Sequence, residues 1–326
     1  MKLLILMTVA AVLLGAAYAG ERNNRKGPAP AVRQVSVRRC AKNPLITFAS
    51  SRSLGNNING PSVIRVPTWI KKPLGRYYMY FAHHHGTYIR LAYADSLEGP
   101  WQVYKPGTLK LSQAKKFRGH IASPDVHVDN TNRQILMFFH GPVKGRGKQW
   151  TGVATSKNGL DFKASEEILG GYYFRVFKRG SYYYALDGGG LGNVLRSNNP
   201  MKKFEKRRKE LFEPMTVRHT ALLVKRDILM VFYSRYGDTP ERILVSTVRL
   251  GSDWSTWVAS DPIEVIKPEK DYEGTKYPVK PSKGGSAIKV CELRDPCIFE
   301  ENGRIYLFYT IVGEMGIAMA EIKIAM

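Results

Sequence analysis

Arg76-Tyr77-Tyr78-Met79-Tyr80-Phe81 is an aromatic-rich run that follows the turn-forming Pro73-Leu74-Gly75 and precedes His83-His84-His85-Gly86. Its composition favours strand over helix. The unit returns as Gln134-Ile135-Leu136-Met137-Phe138-Phe139, Ser181-Tyr182-Tyr183-Tyr184-Ala185-Leu186, Asp227-Ile228-Leu229-Met230-Val231-Phe232-Tyr233 and Arg304-Ile305-Tyr306-Leu307-Phe308-Tyr309. Each copy follows a polar turn, such as Lys178-Arg179-Gly180 or Glu301-Asn302-Gly303.

Working outward, every copy has the same neighbours. A shorter apolar run precedes it, as in Val63-Ile64-Arg65-Val66 and Cys297-Ile298-Phe299, and a third strand of small and branched residues follows it. Four copies then show an aromatic marker for a fourth strand, at Trp101, Phe162, Phe204 and Trp257. Five repeats of an antiparallel unit of three or four strands predict an all-β fold, a five-bladed β-propeller. A Greek-key sandwich has no reason to repeat one unit in constant order. The last copy lacks a fourth strand after Ile322, and the segment from Val35 to Phe48 is the expected supplier, which would close the ring and remove an exposed edge.

Met1-Lys2, the apolar run from Leu3 to Ala17 and the Ala17-Tyr18-Ala19 site have the layout of a cleavable secretory signal over 1–19. The run is too short for a membrane span, so a secreted protein (periplasmic in a bacterium) is expected. Residues 20–39, basic and rich in Gly, Pro and Ala, read as a flexible tail. The propeller then occupies 40–326, with a long Pro/Gly/Lys-rich loop at about 261–290 that reads as a rim or lid over a site.

Fifty Lys and Arg stand against 27 Asp and Glu, a net charge of +23. Export turns the expected polyanionic partner from nucleic acid towards sulfated or uronate-bearing carbohydrate. No aromatic and basic face suited to reading bases is apparent. Oligomeric state is not legible. The three cysteines allow one disulfide among Cys40, Cys291 and Cys297, and the apolar surroundings of Cys297 suit a buried thiol.

In a propeller the innermost strands start around a central channel. Those starts are Asn59-Gly60-Pro61, Ser123-Pro124-Asp125, Tyr172 to Arg175, Arg218-His219 and Arg294-Asp295-Pro296. Five polar starts in register read as a ligand site. Singly, each reads as a turn. His83 and His85, on one side of an extended segment, are expected as rim contacts to sugar rather than as a metal site. A channel Ca²⁺ or water beside His219 is the one candidate for a bound ion.

Ser123-Pro124-Asp125-Val126, Arg294-Asp295-Pro296, Arg218-His219 and the repeated Tyr-Tyr pairs resemble the five-bladed furanosidase superfamily of arabinanases, β-xylosidases, levansucrases and invertases. The resemblance is nearest to glycoside hydrolase family 43 and to predicted hydrolases bearing Asn-Ile-Asn-Gly-Pro-Ser and Phe-Arg-Val-Phe. It implies a carboxylate base in blade one, a helper Asp in blade two and an acid Glu in blade three. Asp125 matches the helper, but Asn59 stands at the base position and Tyr172-Tyr173-Phe174-Arg175 has no Glu. Asp295 as base, His219 as acid or ion-holder and Glu273 as a loop-borne acid are the expected substitutes. Asn59, Arg65, His83, His85, Arg175, Arg218 and Arg294 are the expected substrate contacts, with arginine forks suited to carboxylate or sulfate. Two functions follow: hydrolysis of a poly- or oligosaccharide, or lectin-like binding without cleavage.

Overall fold

The computed structural model describes residues 29–188, 190, 192–212, 216–281 and 288–326. The expected signal segment therefore lies outside the described residues. Two strands, β1 (Gln34–Arg39) and β2 (Ile46–Thr47), precede the repeats. Blade one is β3 (Asn59–Arg65), β4 (Tyr77–Ala82), β5 (Arg90–Ala94) and β6 (Gln102–Tyr104). Blade two is β7 (Ala122–Asp129), β8 (Gln134–Pro142), β9 (Gln149–Ser156) and β10 (Lys163–Ala164). Blade three is β11 (Arg175–Arg179), β12 (Tyr182–Leu186), β13 (Val194–Ser197) and β14 (Glu205–Lys206). Blade four is β15 (Val217–Lys225), β16 (Ile228–Arg235), β17 (Ile243–Arg249) and β18 (Ile263–Ile266). Blade five is β19 (Leu293–Glu301), β20 (Arg304–Ile311) and β21 (Gly316–Ala325), completed by β1 pairing antiparallel to β21. The fold is the expected five-bladed propeller, closed by its N-terminal strand.

The aromatic runs are continuous because both faces of every blade are buried, and strand alternation sends successive residues to opposite neighbours. Tyr78 and Tyr80 of β4 pack with blade two, while Tyr77, Met79 and Phe81 pack with blade five. Likewise Ile135, Met137 and Phe139 of β8 join blade one, and Leu136 and Phe138 join blade three. Five apolar clusters result, one between each adjacent pair of blades. The core is thus a ring around a channel, and that channel is where polar starts converge.

Several expectations are corrected. The tail assigned to 20–39 contains β1, and Val32 ahead of it is buried against blades four and five. The 261–290 loop is not structureless, because Ile263–Ile266 is the fourth strand of blade four. Trp257, the expected marker of that strand, is instead a core side chain between blades three and four. All three cysteines are buried free thiols, so no disulfide forms among them. Burial pushes the Cys297 thiol up to about 12.

At the start of each innermost strand one residue is left-handed: Gly60 (φ 59°), Ser123 (48°), Tyr173 (60°), His219 (48°) and Asp295 (46°). Pairing skips there in four blades, between Asn59 and Ser62, Ala122 and Asp125, Arg218 and Ala221, and Arg294 and Cys297. Such bulges re-aim a side chain and recur beside functional sites. A left-handed non-glycine residue costs about 1–2 kcal/mol, and here four of the five positions carry that cost. At Gly60 an added Cβ would also come 3.2 Å from Ser123 Cα. Gly60→Ala should therefore lower stability by about 1–2 kcal/mol in urea unfolding. No measurable loss would mean the bulge is not under strain.

Candidate functional site

The register of these bulges decides which residues meet. Position by position, Gly60, Ser123, Tyr173, His219 and Asp295 are equivalent, with Asn59, Ala122, Tyr172, Arg218 and Arg294 one step earlier. A cavity of about 190 Å³ opens at this mouth of the channel, lined by both sets in part: Asn59, Ser123, Tyr172, Tyr173, His219 and Asp295 among them. Arg218 also lines it, with its guanidinium 4.7 Å from the centre of the Tyr236 ring. His84, His120, His140 and Gln149 complete its polar wall. His84 belongs to the His83-His84-His85 cluster, in which the sequence pointed to its two neighbours instead, while His120, His140 and Gln149 come from a loop, a second strand and a third strand that carry no motif.

The floor joins three consecutive blades. Tyr173 stacks on His219, with ring centroids 5.0 Å apart, and its hydroxyl donates to Asp295 Oδ1 at 3.2 Å. Thr310 Oγ1 donates to Asp295 Oδ2 at 3.2 Å. His219 Nδ1 lies 3.1 Å from Asp295 Oδ1, without the alignment of a hydrogen bond. Burial, helped by nearby Glu314, raises the Asp295 carboxyl to about 6 against the pull of Arg218, Arg294 and Arg175. Burial and the same arginines hold the His219 imidazole well below its usual range, so it is neutral at pH 7. The floor therefore offers a carboxyl that gains or loses its proton near pH 6 beside a neutral imidazole.

The proton on Asp295 has a sign to its effect. A folded value of about 6 exceeds the unfolded 3.8, so its contribution to stability is complete below about pH 3.8 and lost as pH rises through 6. Asp295→Asn should remove that dependence. Denaturation midpoints of parent and variant should thus diverge from pH 4 to 7, the parent falling relative to the variant. Parallel curves would show an unshifted carboxyl.

Behind the floor lies a charge network that the sequence reading did not find. Arg294, fully buried, pairs with Glu241 (3.3 Å), Glu314 (3.4 Å) and Glu292. Glu241 also accepts from Arg218 at 3.0 Å and from Ser234 Oγ at 2.6 Å. Burial pushes the Glu241 carboxyl up to about 7, against Arg294 and Arg218. Glu314 Oε2 accepts from Asn59 Nδ2 at 3.0 Å and Asn57 Nδ2 at 2.6 Å. Asn59 is thus aimed by a buried carboxylate.

Other expected site residues lie elsewhere. Asp125 sits two residues beyond the bulge and is equivalent to Ser62 and Cys297, not to Asp295. It accepts the Val176 N–H of blade three at 2.8 Å, as Ser62 accepts the Val126 N–H of blade two at 2.9 Å. Burial works against its charge, yet His127 at 2.8 Å leads the contacts that keep it below the usual carboxylate range. It staples blades and does not line the pocket. Arg175 lies buried beneath the floor, donating to the Ser123 carbonyl at 3.3 Å with its guanidinium 4.1 Å from the Tyr173 ring centre. Arg294 likewise faces the network rather than the cavity. Arg65, at the far end of β3, pairs with Glu301 at 2.8 Å. Glu273 is fully buried, held by Arg39 at 2.7 Å and Tyr309 at 2.8 Å, so it cannot swing in as an acid. No described residue of 261–290 lines the cavity.

His83-His84-His85 forms a turn, with the Gly86 N–H donating to the His83 carbonyl, so strand alternation does not apply. His84 reaches the cavity, while His83 bonds Asn56 at 3.0 Å. Neither His83 nor His85 lines the pocket. Among the described residues no group of three His, Cys, Asp or Glu comes together as a metal site.

Blades, ring closure and a polar pocket at one mouth define a five-bladed β-propeller, a fold shared with solved glycoside hydrolases. A family 43 β-xylosidase/α-arabinofuranosidase from a compost microbial metagenome shares the fold at TM-score 0.58, with 15% identity over 89% of this chain and 95% of that one. A GH43_1 enzyme from Xanthomonas citri matches at TM-score 0.58 and 12% identity, over 86% and 89% of the two chains. A GH130 protein, from a family reported to contain glycoside hydrolases that target β-1,2 mannosidic linkages in Candida mannan, matches at 0.62 and 13%, over 91% and 94%. Within this class the chain belongs to the family of uncharacterized protein R118 of Acanthamoeba polyphaga mimivirus. The two are 38% identical over 299 residues, 82% of this chain and 83% of the relative. No protein-family model matches the chain.

Proposed function

We propose that this protein recognises the end of a glycan chain, seating one sugar unit in the mouth pocket. The observation that carries the reading is the lining: Asp295, His219, Asn59 and Gln149 offer hydrogen bonds beside the rings of Tyr172 and Tyr236. A small cavity with convergent polar groups and aromatic walls suits a saccharide. The glycan fold relatives support the same ligand class. In this reading the glycan is extracellular and anionic, which the signal-like N-terminus and the net charge of +23 support.

Binding without cleavage is the better-supported form. Two-carboxyl hydrolysis needs an acid and a base flanking the bond, about 5–10 Å apart. Among the described residues Asp295 is the only acidic side chain lining the pocket. A second reading, cleavage with Asp295 as sole carboxyl, is favoured by its value near 6 beside a neutral His219. Calorimetric titration of the purified protein with oligosaccharides, run beside reducing-end release, separates the two. Saturable binding without release supports recognition, and release that tracks enzyme concentration supports cleavage. Neither binding nor release across neutral, sulfated and uronate oligosaccharides would sink both.

A further inference from the structure

An open groove of about 710 Å³ lies beside the mouth pocket, lined by Lys105, Lys110, Lys115 and Lys144 with Tyr88 and Phe117 among its walls. No acidic residue lines it. All four lysines are exposed, and none is in an ion pair among the described residues. Some other surface cations of this chain are used differently: Arg38, Arg304, Lys202 and Lys225 each meet a glutamate. Four unpaired cations around one concavity repel each other and concentrate anions.

The groove and the pocket share their walls. Thr87 and Tyr88 of the groove follow His84 of the pocket in one loop, and Lys115 and Phe117 precede His120 in one segment. These two segments are tied together by the Ile121 N–H donating to the Gly86 carbonyl at 3.0 Å. The His85 and His120 rings pack edge to face across the tie, 5.8 Å apart. A chain whose end occupies the pocket would cross this wall and enter the lysines. The Tyr88 ring rests over Gly107, where an added Cβ would stand 2.3 Å from Tyr88 Cδ2. Glycine there keeps the ring flat against the backbone as one side of the groove.

We infer that the lysine groove is a subsite for the anionic units of the same glycan, so that the ligand is a sulfate- or carboxylate-bearing oligosaccharide whose end lies in the pocket. This rests on the glycan reading of the pocket. Lysine ammoniums are point charges that accept sulfate and uronate alike. The aromatic side wall and the continuity with a pocket that holds one sugar favour saccharide over a nucleic-acid backbone.

The test uses the full protein, the triple variant Lys110→Gln/Lys115→Gln/Lys144→Gln and Asp295→Asn. Each is titrated with a sulfated oligosaccharide, an oligouronate, a neutral oligosaccharide and a short DNA duplex at two salt concentrations. Exposed charge pairs are worth a factor of about two to five each, so the triple variant should lose about tenfold to a hundredfold in affinity for the anionic sugars. Its residual binding should depend less on salt, and any neutral-sugar binding should be unchanged. Preference for sulfate over uronate, or the reverse, names the source of the charge. Unchanged affinity in the triple variant, no binding of either anionic sugar by the parent, or DNA bound as tightly as sugar would each overturn the subsite. Loss in the triple variant with full binding in Asp295→Asn would keep the groove and remove the pocket reading. The opposite pattern would remove the groove alone.

Discussion

Arg294→Met should destabilise the protein by about 3–5 kcal/mol, the usual cost of removing one partner from a buried charge network. Arg294 is fully buried and balances three carboxylates, Glu241, Glu292 and Glu314. Methionine preserves most of the volume, so lost packing contributes little. The surviving acids must then take up protons or hold uncompensated charge. Glu241 retains Arg218, and Glu314 retains its two asparagine donors. At about 2 cal/mol/K of unfolding entropy per residue, the change corresponds to a melting temperature roughly 5–8 °C lower. Arg65→Ala is the matched control, since its bond to Glu301 lies at an exposed blade edge and should be worth less than about 1 kcal/mol. Equal and small losses in the two variants would show that the network contributes nothing net. Denaturation followed by tryptophan fluorescence and by circular dichroism measures both.

The contrast between these two arginines also shows where sequence reasoning reaches. Both stood in the sequence as expected substrate contacts. The blades were readable because both faces of each second strand are buried, which writes an uninterrupted aromatic or aliphatic run five times over. Closure by the segment at Val35 was readable from the missing fourth strand of blade five. Register at the channel was not. One left-handed residue per blade shifts the pairing, and this separates Asp125 from Asp295 although each follows a similar polar start. Asp295 faces the cavity from the left-handed position itself. Asp125, two places on, turns to the neighbouring blade. Ser123-Pro124 and Asp295-Pro296 were the signal that could have aligned them, since the residue before each proline is the left-handed one.

The network was hidden for a different reason. Glu241 and Glu314 come from the connections after β16 and β20, and single glutamates in short loops ordinarily read as solvated surface. Folding of single blades brings Glu241 to Arg218 and Glu314 to Arg294, and the packing of neighbouring blades then adds Arg294 to Glu241 and Asn59 to Glu314. His120 and His140 reach the pocket by the same route, from a loop and a strand end. Legibility thus follows repetition. What recurs in every blade can be read from the chain, and what a single blade contributes to the mouth depends on the assembled ring.

Asp295→Asn should leave the fold intact and remove most of the function. Asparagine has the shape of the protonated carboxyl, its amide oxygen can accept from one of the Tyr173 and Thr310 hydroxyls, and its NH2 can donate to the other. Because burial already lifts the carboxyl to about 6, the variant sheds a charge that the site holds at some cost at neutral pH. Its melting temperature at pH 7 to 8 should therefore match or exceed the parent's. Recognition should suffer, since a hydrogen bond to a charged group contributes about 1.5–3 kcal/mol, which predicts saccharide affinity roughly 10- to 100-fold weaker above pH 6. Below that pH the parent's own carboxyl is neutral, so the two proteins should converge. If the parent cleaves its ligand, the loss falls on turnover instead and reaches about 10²-fold or more, because an amide cannot exchange a proton with the reacting oxygen. A variant that melts early, with function lost in proportion to the unfolded fraction, would make Asp295 a structural bulge residue. A stable variant with full affinity at pH 8 would take the carboxyl out of recognition and leave His219 and Asn59 as the groups to test.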